Sequence, residues 1–216
     1  MTSPPLLRII IADDHPVVRI GASSVIEKNG VGIVVAEASS ASELMDMLKA
    51  HPCDVLVTDY SMPGGDQADG FAMISMIRRH YPDLPVVLLS VANNLAILRM
   101  VVSTGVQGLV DKASSMEELP QAILAVHRKQ AYLSRTLKER IDAIGTHDVD
   151  EKDTRTLSPK EVEVLRLLGA GQTVKEIALH LHKSVSTISR QKGDAMLKLG
   201  LKGDAELFDY LRDSKL

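Results

Sequence analysis

Asp54-Val55-Leu56-Val57-Thr58-Asp59-Tyr60-Ser61-Met62-Pro63 is the stretch from which the rest of this 216-residue chain can be read. Val55 to Thr58 form a short apolar, mostly β-branched run, the pattern of a strand buried on both faces. The run stops at a carboxylate, and Pro63 forbids continuation as a central strand. Asp59 is therefore predicted at the carboxyl end of a buried parallel strand, where open α/β sheets bind their ligands. A second run, Arg8-Ile9-Ile10-Ile11-Ala12, ends in the same way at Asp13-Asp14. Three carboxylates at neighbouring strand ends repel one another unless a cation joins them. The pattern predicts a site for a divalent metal and a phosphoryl group.

Outward from this stretch, strand-like and helical patterns alternate from Arg8 to about Gln130. Strands are predicted at Ile9–Ala12, Ile33–Glu37, Val55–Thr58, Val86–Ser90 and Gly108–Asp111. Amphipathic helices are predicted at Val17–Lys28, Ser42–Lys49 (capped by Ser42), Phe71–His80, Leu95–Thr104 and Met116–Arg128. Repeated strand-then-helix units imply a parallel sheet covered on both faces. Residues 131–155, charged and poor in apolar side chains toward their end, read as a linker between a domain at 1–130 and another at 156–216. The second domain contains no strand-like run. Ser158, Pro159 and Glu161 give the cap, N1 and capping-box positions of a first helix. Three further helices are predicted at Val174–Leu181, Ser186–Leu199 and Ala205–Leu211, the second of the four capped by Thr173.

Composition narrows the class. Hydrophobic residues make up 45% and charged residues 25%, as in ordinary globular domains. A net charge of −3 excludes a wholly basic nucleic-acid coat protein. One cysteine, Cys53, excludes an intramolecular disulfide and fits a reducing compartment. With neither a signal-peptide pattern nor a membrane-length apolar run, a cytoplasmic protein with no membrane partner is expected.

Asp13-Asp14, Asp59, Met62-Pro63, Ser90 and Lys112 fall in order at the ends of strands one, three, four and five, and in this the chain resembles a bacterial two-component response regulator. The second domain resembles the LuxR-type helix-turn-helix through Leu157–Leu165, Lys175-Glu176-Ile177-Ala178, Thr187-Ile188 and Lys198-Leu199-Gly200. Together these define the NarL/FixJ subfamily. A long loop, Ser61 to Gly70, narrows the resemblance to one phosphorelay branch, along with Asn93–Leu98 and Thr187–Lys192. The resemblance implies a flavodoxin-like receiver with five parallel strands in the order 2-1-3-4-5, followed by a separate all-α four-helix domain. It implies Mg²⁺ held by Asp14, Asp59 and the Ser61 carbonyl, with Asp13 acting directly or through water. Asp59 would be the phosphoacceptor, Lys112 would offset charge, and the Ser90 hydroxyl would swing toward the phosphoryl group. Leu109 replaces the family's aromatic switch residue, Ala113 follows Lys112 where proline is common, and Val91 could shield the phosphoryl group.

The second helix of a helix-turn-helix reads DNA with polar residues opposite its core stripe. Ser186, Thr187, Ser189, Arg190, Gln191 and Lys192 fit that description, with Arg190 and Lys192 suited to guanine edges and Lys175, Thr187 and Lys198 to phosphates. The segment Lys183–Lys198 carries a local charge of +3. The expected protein is a double-stranded-DNA-binding transcription regulator, not an enzyme, served by a histidine kinase or histidine phosphotransfer protein. It is expected to act as a homodimer or as a heterodimer with an auxiliary regulator. Two alternatives are a phosphorylation-independent DNA-binding partner, which should have a degraded pocket, and an aspartate-dependent phosphatase. The latter usually carries a second Asp two residues after the nucleophile, where this chain has Ser61.

Overall fold

The computed structural model describes residues 6–62, 70–90, 105–113, 116–139, 157–199 and 201–214. In the first unit the strands are β1 (Leu7–Ala12), β2 (Gly32–Ala38), β3 (Val55–Asp59), β4 (Val86–Ser90), β5 (Gly108–Asp111) and β6 (Tyr132–Leu133). The helices are α1 (Pro16–Lys28), α2 (Ala41–Ala50), α3 (Gly70–His80) and α4 (Leu119–His127). All strand pairs are parallel, in the order β2-β1-β3-β4-β5-β6. The predicted order therefore holds, and a sixth strand is added. That strand lies in what reads as linker sequence. Its two residues are too few to show a period, and pairing with β5 rather than local propensity fixes them: Tyr132 N donates to Gln107 O and Ser134 N to Leu109 O.

The pleat sends alternate strand residues to opposite faces. Ile9, Ile11, Val55, Val57, Val87, Leu89 and Val110 pack with Ala22 and Ile26 of α1 and Leu119, Ile123 and Val126 of α4. Ile10, Leu56 and Leu88 are buried on the other side. Both faces are covered, which is why these strands read as continuous apolar runs. Gly108 allows α4 to lie close: a Cβ there would meet Val126 Cγ1 and Val87 Cγ2, each at 2.9 Å. The cap of α2 differs from the sequence expectation. Ser40, in extended conformation, accepts from Glu43 N, whereas Ser42 lies inside the first turn with its buried hydroxyl unpartnered. The predicted helix Leu95–Thr104 falls outside the described residues.

The second unit is all helical among its described residues: α5 (Pro159–Gly169), α6 (Val174–His180), α7 (Val185–Lys198) and α8 (Asp204–Ser214). The predicted capping box at Ser158/Glu161 opens α5, the predicted cap Thr173 opens α6 and is joined by Glu176 in a second capping box, and Ser184 caps α7. Val164, Leu165, Leu168, Ile177, Ile188, Ala195, Leu207 and Leu211 form its core. The turn between α6 and α7 places His182 at φ 51°, a left-handed conformation uncommon outside glycine. No described helix is long and apolar enough to cross a membrane.

Candidate functional site

β1 and β3 are direct neighbours, with Ala12 beside Thr58, so the chain delivers Asp13 and Asp59 to the same edge of the sheet. Asp13 is fully buried. Its N–H donates to Ala38 O at 3.0 Å, and its carbonyl accepts from Arg19 Nη1 at 2.6 Å. Oδ1 of Asp13 accepts from His15 N at 3.0 Å. Asp14 is more open and lies 2.6 Å from His15 Nδ1. Asp59 Oδ1 accepts from Tyr60 N at 2.6 Å, and its carboxylate also accepts from the Ser61 N–H.

Lys112 follows β5 and closes the site. Its ammonium lies 2.5 Å from Asp59 Oδ2 and 2.7 Å from Asp13 Oδ2. Lys112 is thus the charge partner of Oδ2 of this buried carboxylate, while Oδ1 faces the His15 N–H. Burial pushes the Asp59 carboxyl above its ordinary pKa, and the Asp13 charge pushes the same way. Lys112 and the Ser61 N–H oppose them without winning. A carboxylate held charged in such a place needs more positive charge than one lysine supplies.

A cation fits that deficit. Asp13, Asp14, His15 and Asp59 each offer a ligand atom, all within 4.8 Å of one another. Three carboxylates suit a hard divalent ion. Asp13 is the more enclosed of the acidic pair and already bound to Lys112, so its place is more central than the sequence suggests. His15 was not singled out from the sequence, although its position directly after two acids was a usable signal. Asp111 was also missed: it is buried, and its Oδ1 accepts from Ala113 N at 2.8 Å, fixing the loop that carries Lys112. Ser90 ends β4 with its backbone beside Asp111, but its side chain lies outside the described residues, as does all of Val91. Leu109 is buried within β5.

In the helical unit, Lys175 is exposed in the first turn of α6, while Ser186, Ser189 and Arg190 are exposed on α7. Ser184 Oγ lies 2.9 Å from Ser186 Oγ and 2.7 Å from Thr187 Oγ1, tying the hydroxyls into the cap; Gln191 is half-buried. The structure gives Lys192 and Lys198 partners within the unit, against the expectation of free DNA-binding cations. Lys192 Nζ is 2.7 Å from Asp204 Oδ2. Lys198 Nζ reaches both oxygens of Glu161, at 2.9 and 2.7 Å. Lys192 and Lys198 sit four residues on from Ile188 and three on from Ala195 respectively, which turns both toward the buried side of α7.

Comparison with known proteins places this geometry. The profile for the response regulator receiver domain matches residues 9–124, and that for bacterial regulatory proteins of the luxR family matches residues 155–211. RcsB of Salmonella typhi and RcsB of Escherichia coli K12 are each 38% identical over 205 residues, covering 95% of this chain and 94% of theirs. The oxygen regulatory protein NreC of Staphylococcus epidermidis is 33% identical over 97% of this chain and 99% of its own. Among solved structures, Salmonella enterica serovar Typhimurium RcsB, bound to promoter P1flhDC with the phosphomimetic BeF₃⁻, superposes with a TM-score of 0.82 at 38% identity. The match covers 96% of this chain and 98% of that one. A charged pocket at the strand ends, a helix-turn-helix later in the chain, and relatives matched along nearly their whole length lead to one conclusion: the chain belongs to the response-regulator family, as an RcsB-like transcription regulator of the LuxR type.

Proposed function

We propose that Asp59 accepts a phosphoryl group from a phosphohistidine of a kinase or phosphotransfer protein, and that this phosphorylation controls DNA binding by α7. The observation that carries the reading is Lys112 joined to both Asp13 and Asp59, since nothing in strand packing requires a buried lysine there. In the transfer an Asp59 oxygen forms the new O–P bond, the P–N bond breaks, and the donor imidazole leaves with the bonding pair. Lys112 offsets the charge gathering on the phosphoryl oxygens. Asp13, Asp14, Asp59 and the Ser61 carbonyl would hold Mg²⁺, which supplies further neutralisation. Ser90 would take a hydrogen bond from or to the product oxygens, and Val91 would screen them from water. Without an aromatic lever at Leu109, the output is a rearranged β4–β5 end that changes how dimers form.

On the DNA side, Lys175 would meet phosphate, while Ser186, Thr187, Ser189, Arg190 and Gln191 would face the groove. Lys192 and Lys198 act instead as internal braces. The RcsB structures include complexes with promoter DNA and a pair of dimers bound to two parallel DNAs, which supports duplex DNA and a homodimer as partners here. We propose a heterodimer with an auxiliary regulator as a second assembly. The protein turns over no substrate besides its own phosphoryl group, and it works in the cytoplasm beside its donor. We place the receiver at 1–130 with its sheet completed by 132–133, the linker up to 155 and the DNA-binding domain from 156. Selecting duplexes from a random pool, with and without a phosphohistidine donor, tests this function. Phosphorylation should raise affinity for the selected sequence by about 5- to 150-fold. Equal affinity in the two states would remove phosphorylation from the control of DNA binding.

A further inference from the structure

Gly193 stands in the ninth of the fourteen positions of α7, where the fold itself gives no reason for a glycine. Glycine is the worst helix former after proline, because it loses the most backbone freedom and shields none of the backbone. Most of the other described glycines have visible causes. Gly32 and Gly108 are crowded by a backbone oxygen or by valine methyls, and Gly30, Gly105 and Gly171 take positive φ. Around Gly193 nothing lies within 4 Å of an added Cβ, and its φ is not positive. Gly21, inside α1, and Gly203, just before α8, share the open space, but Gly21 is half-buried and Gly203 lies outside any helix, whereas Gly193 is exposed within one. An alanine at 193 would fit the free protein and strengthen the helix.

The helical repeat sets Gly193 three and four residues beyond Arg190 and Ser189 and seven beyond Ser186. All four are exposed, so they share the outer stripe of α7, opposite Ile188 and Ala195. Lys192, the neighbouring cation, is held off this stripe by Asp204. The outer stripe thus passes from hydroxyls and a guanidinium to bare backbone. Bare backbone on a groove-facing stripe permits what a side chain prevents, the close approach of a sugar-phosphate edge or a base to the helix axis.

We infer that Gly193 is a specificity-determining residue: its missing side chain lets α7 seat deeply in the major groove, so that Ser186, Ser189 and Arg190 reach base edges. The helix accepts poorer intrinsic stability in exchange for that approach. This inference rests on the proposed reading of α7 as the DNA-recognition helix.

The test uses the full chain and a duplex selected from a random pool by the unmodified protein, with a scrambled duplex of equal length. Gly193→Ala should melt about 4 °C higher in the transition of the helical unit. It should also lose about tenfold or more in affinity for the selected duplex while binding the scrambled one within about twofold, since loosely seated, phosphate-driven binding does not need the close approach. Gly193→Ser should fall in the same direction. Unchanged preference for the selected duplex in Gly193→Ala overturns the inference. So does a lower melting temperature, or misfolding, because the glycine would then serve the fold. If the unmodified protein selects no duplex at all, the reading of α7 fails first, and that outcome is separate from a parent that selects and a variant that selects equally well.

Discussion

The Lys112 ammonium stands 2.5 Å from Asp59 Oδ2 although β5, which delivers it, and β3, which carries Asp59, are not neighbours in the sheet. β4 runs between them. The lysine reaches over the end of that strand, and it meets Asp13 from β1 at the same point. Three strands thus converge on one charge balance across a fourth, and a change to any of the three charges should be felt by the other two.

Lys112→Ala leaves Asp13 and Asp59 facing each other in a buried site. Without divalent cations the variant should lose about 3 kcal/mol of stability at pH 7. Mg²⁺ should restore most of that loss and stabilise the variant more than the parent, since lysine and cation share the same oxygens. Urea unfolding with Mg²⁺ and with a chelator checks this. A deficit that Mg²⁺ leaves untouched would mean that the carboxylates do not form a cation site.

The opposite end of β1 offers a pH-dependent prediction. Arg8 binds both oxygens of Asp54, at 2.7 and 3.0 Å, and hydrogen bonding to Arg8 holds the Asp54 carboxyl down to about 2 from its ordinary 3.8. A depressed carboxylate stabilises the fold above its unfolded pKa, and the contribution disappears as pH falls from about 4 through 2. Asp54→Asn should therefore be less stable than the parent near pH 6 and converge with it near pH 2. The gap should be modest and shrink in high salt, because the pair is solvent-exposed. Unfolding midpoints across that range are the measurement.

Two lysines that look alike in sequence should behave differently. Lys175→Ala should weaken binding to all DNA and reduce the salt slope of log K by about 0.9 while leaving folding unchanged. Lys198→Ala should instead destabilise the helical unit by about 1–2 kcal/mol, because Glu161 would keep only its capping bonds to Ser158. Burial works against ionisation of Glu161, yet the Lys198 and Ser158 hydrogen bonds hold its pKa below the ordinary value. Salt titrations of DNA binding beside thermal melts separate the two roles.

Arg190 is exposed on α7 with no ion pair among the described residues. Arg190→Ala should cost about 1–3 kcal/mol in binding to the selected duplex and relax preference at one or two base positions. Binding that keeps its full sequence preference would show that another face of α7 enters the groove.

Much of this was legible in the sequence for physical reasons. Runs such as Ile9–Ala12 and Val55–Thr58 are buried on both faces, so composition alone marked them, and the carboxylate after each located the site. The Ser158–Glu161 capping box and the Thr173 cap were readable because capping is a local motif. Ser40 replaced Ser42 as a cap because the choice depends on where the chain turns out of β2, which no local signal sets. β6 was hidden because two residues have no period. Lys192 and Lys198 were assigned to DNA because a charge in sequence carries no record of its partner. Asp204 and Glu161 lie 12 and 37 residues away, and only the packing of α5 against both α7 and α8 brings them together.

The central claim is that Asp59 is the phosphoacceptor. It is tested most directly by incubating the protein and Asp59→Asn with a radiolabelled phosphohistidine donor and Mg²⁺, then exposing the product to hydroxylamine. The parent should take up label that hydroxylamine releases, as an acyl phosphate must, and Asp59→Asn should fold normally and take up none. Hydroxylamine-sensitive label entering folded Asp59→Asn at the parental rate would contradict the account.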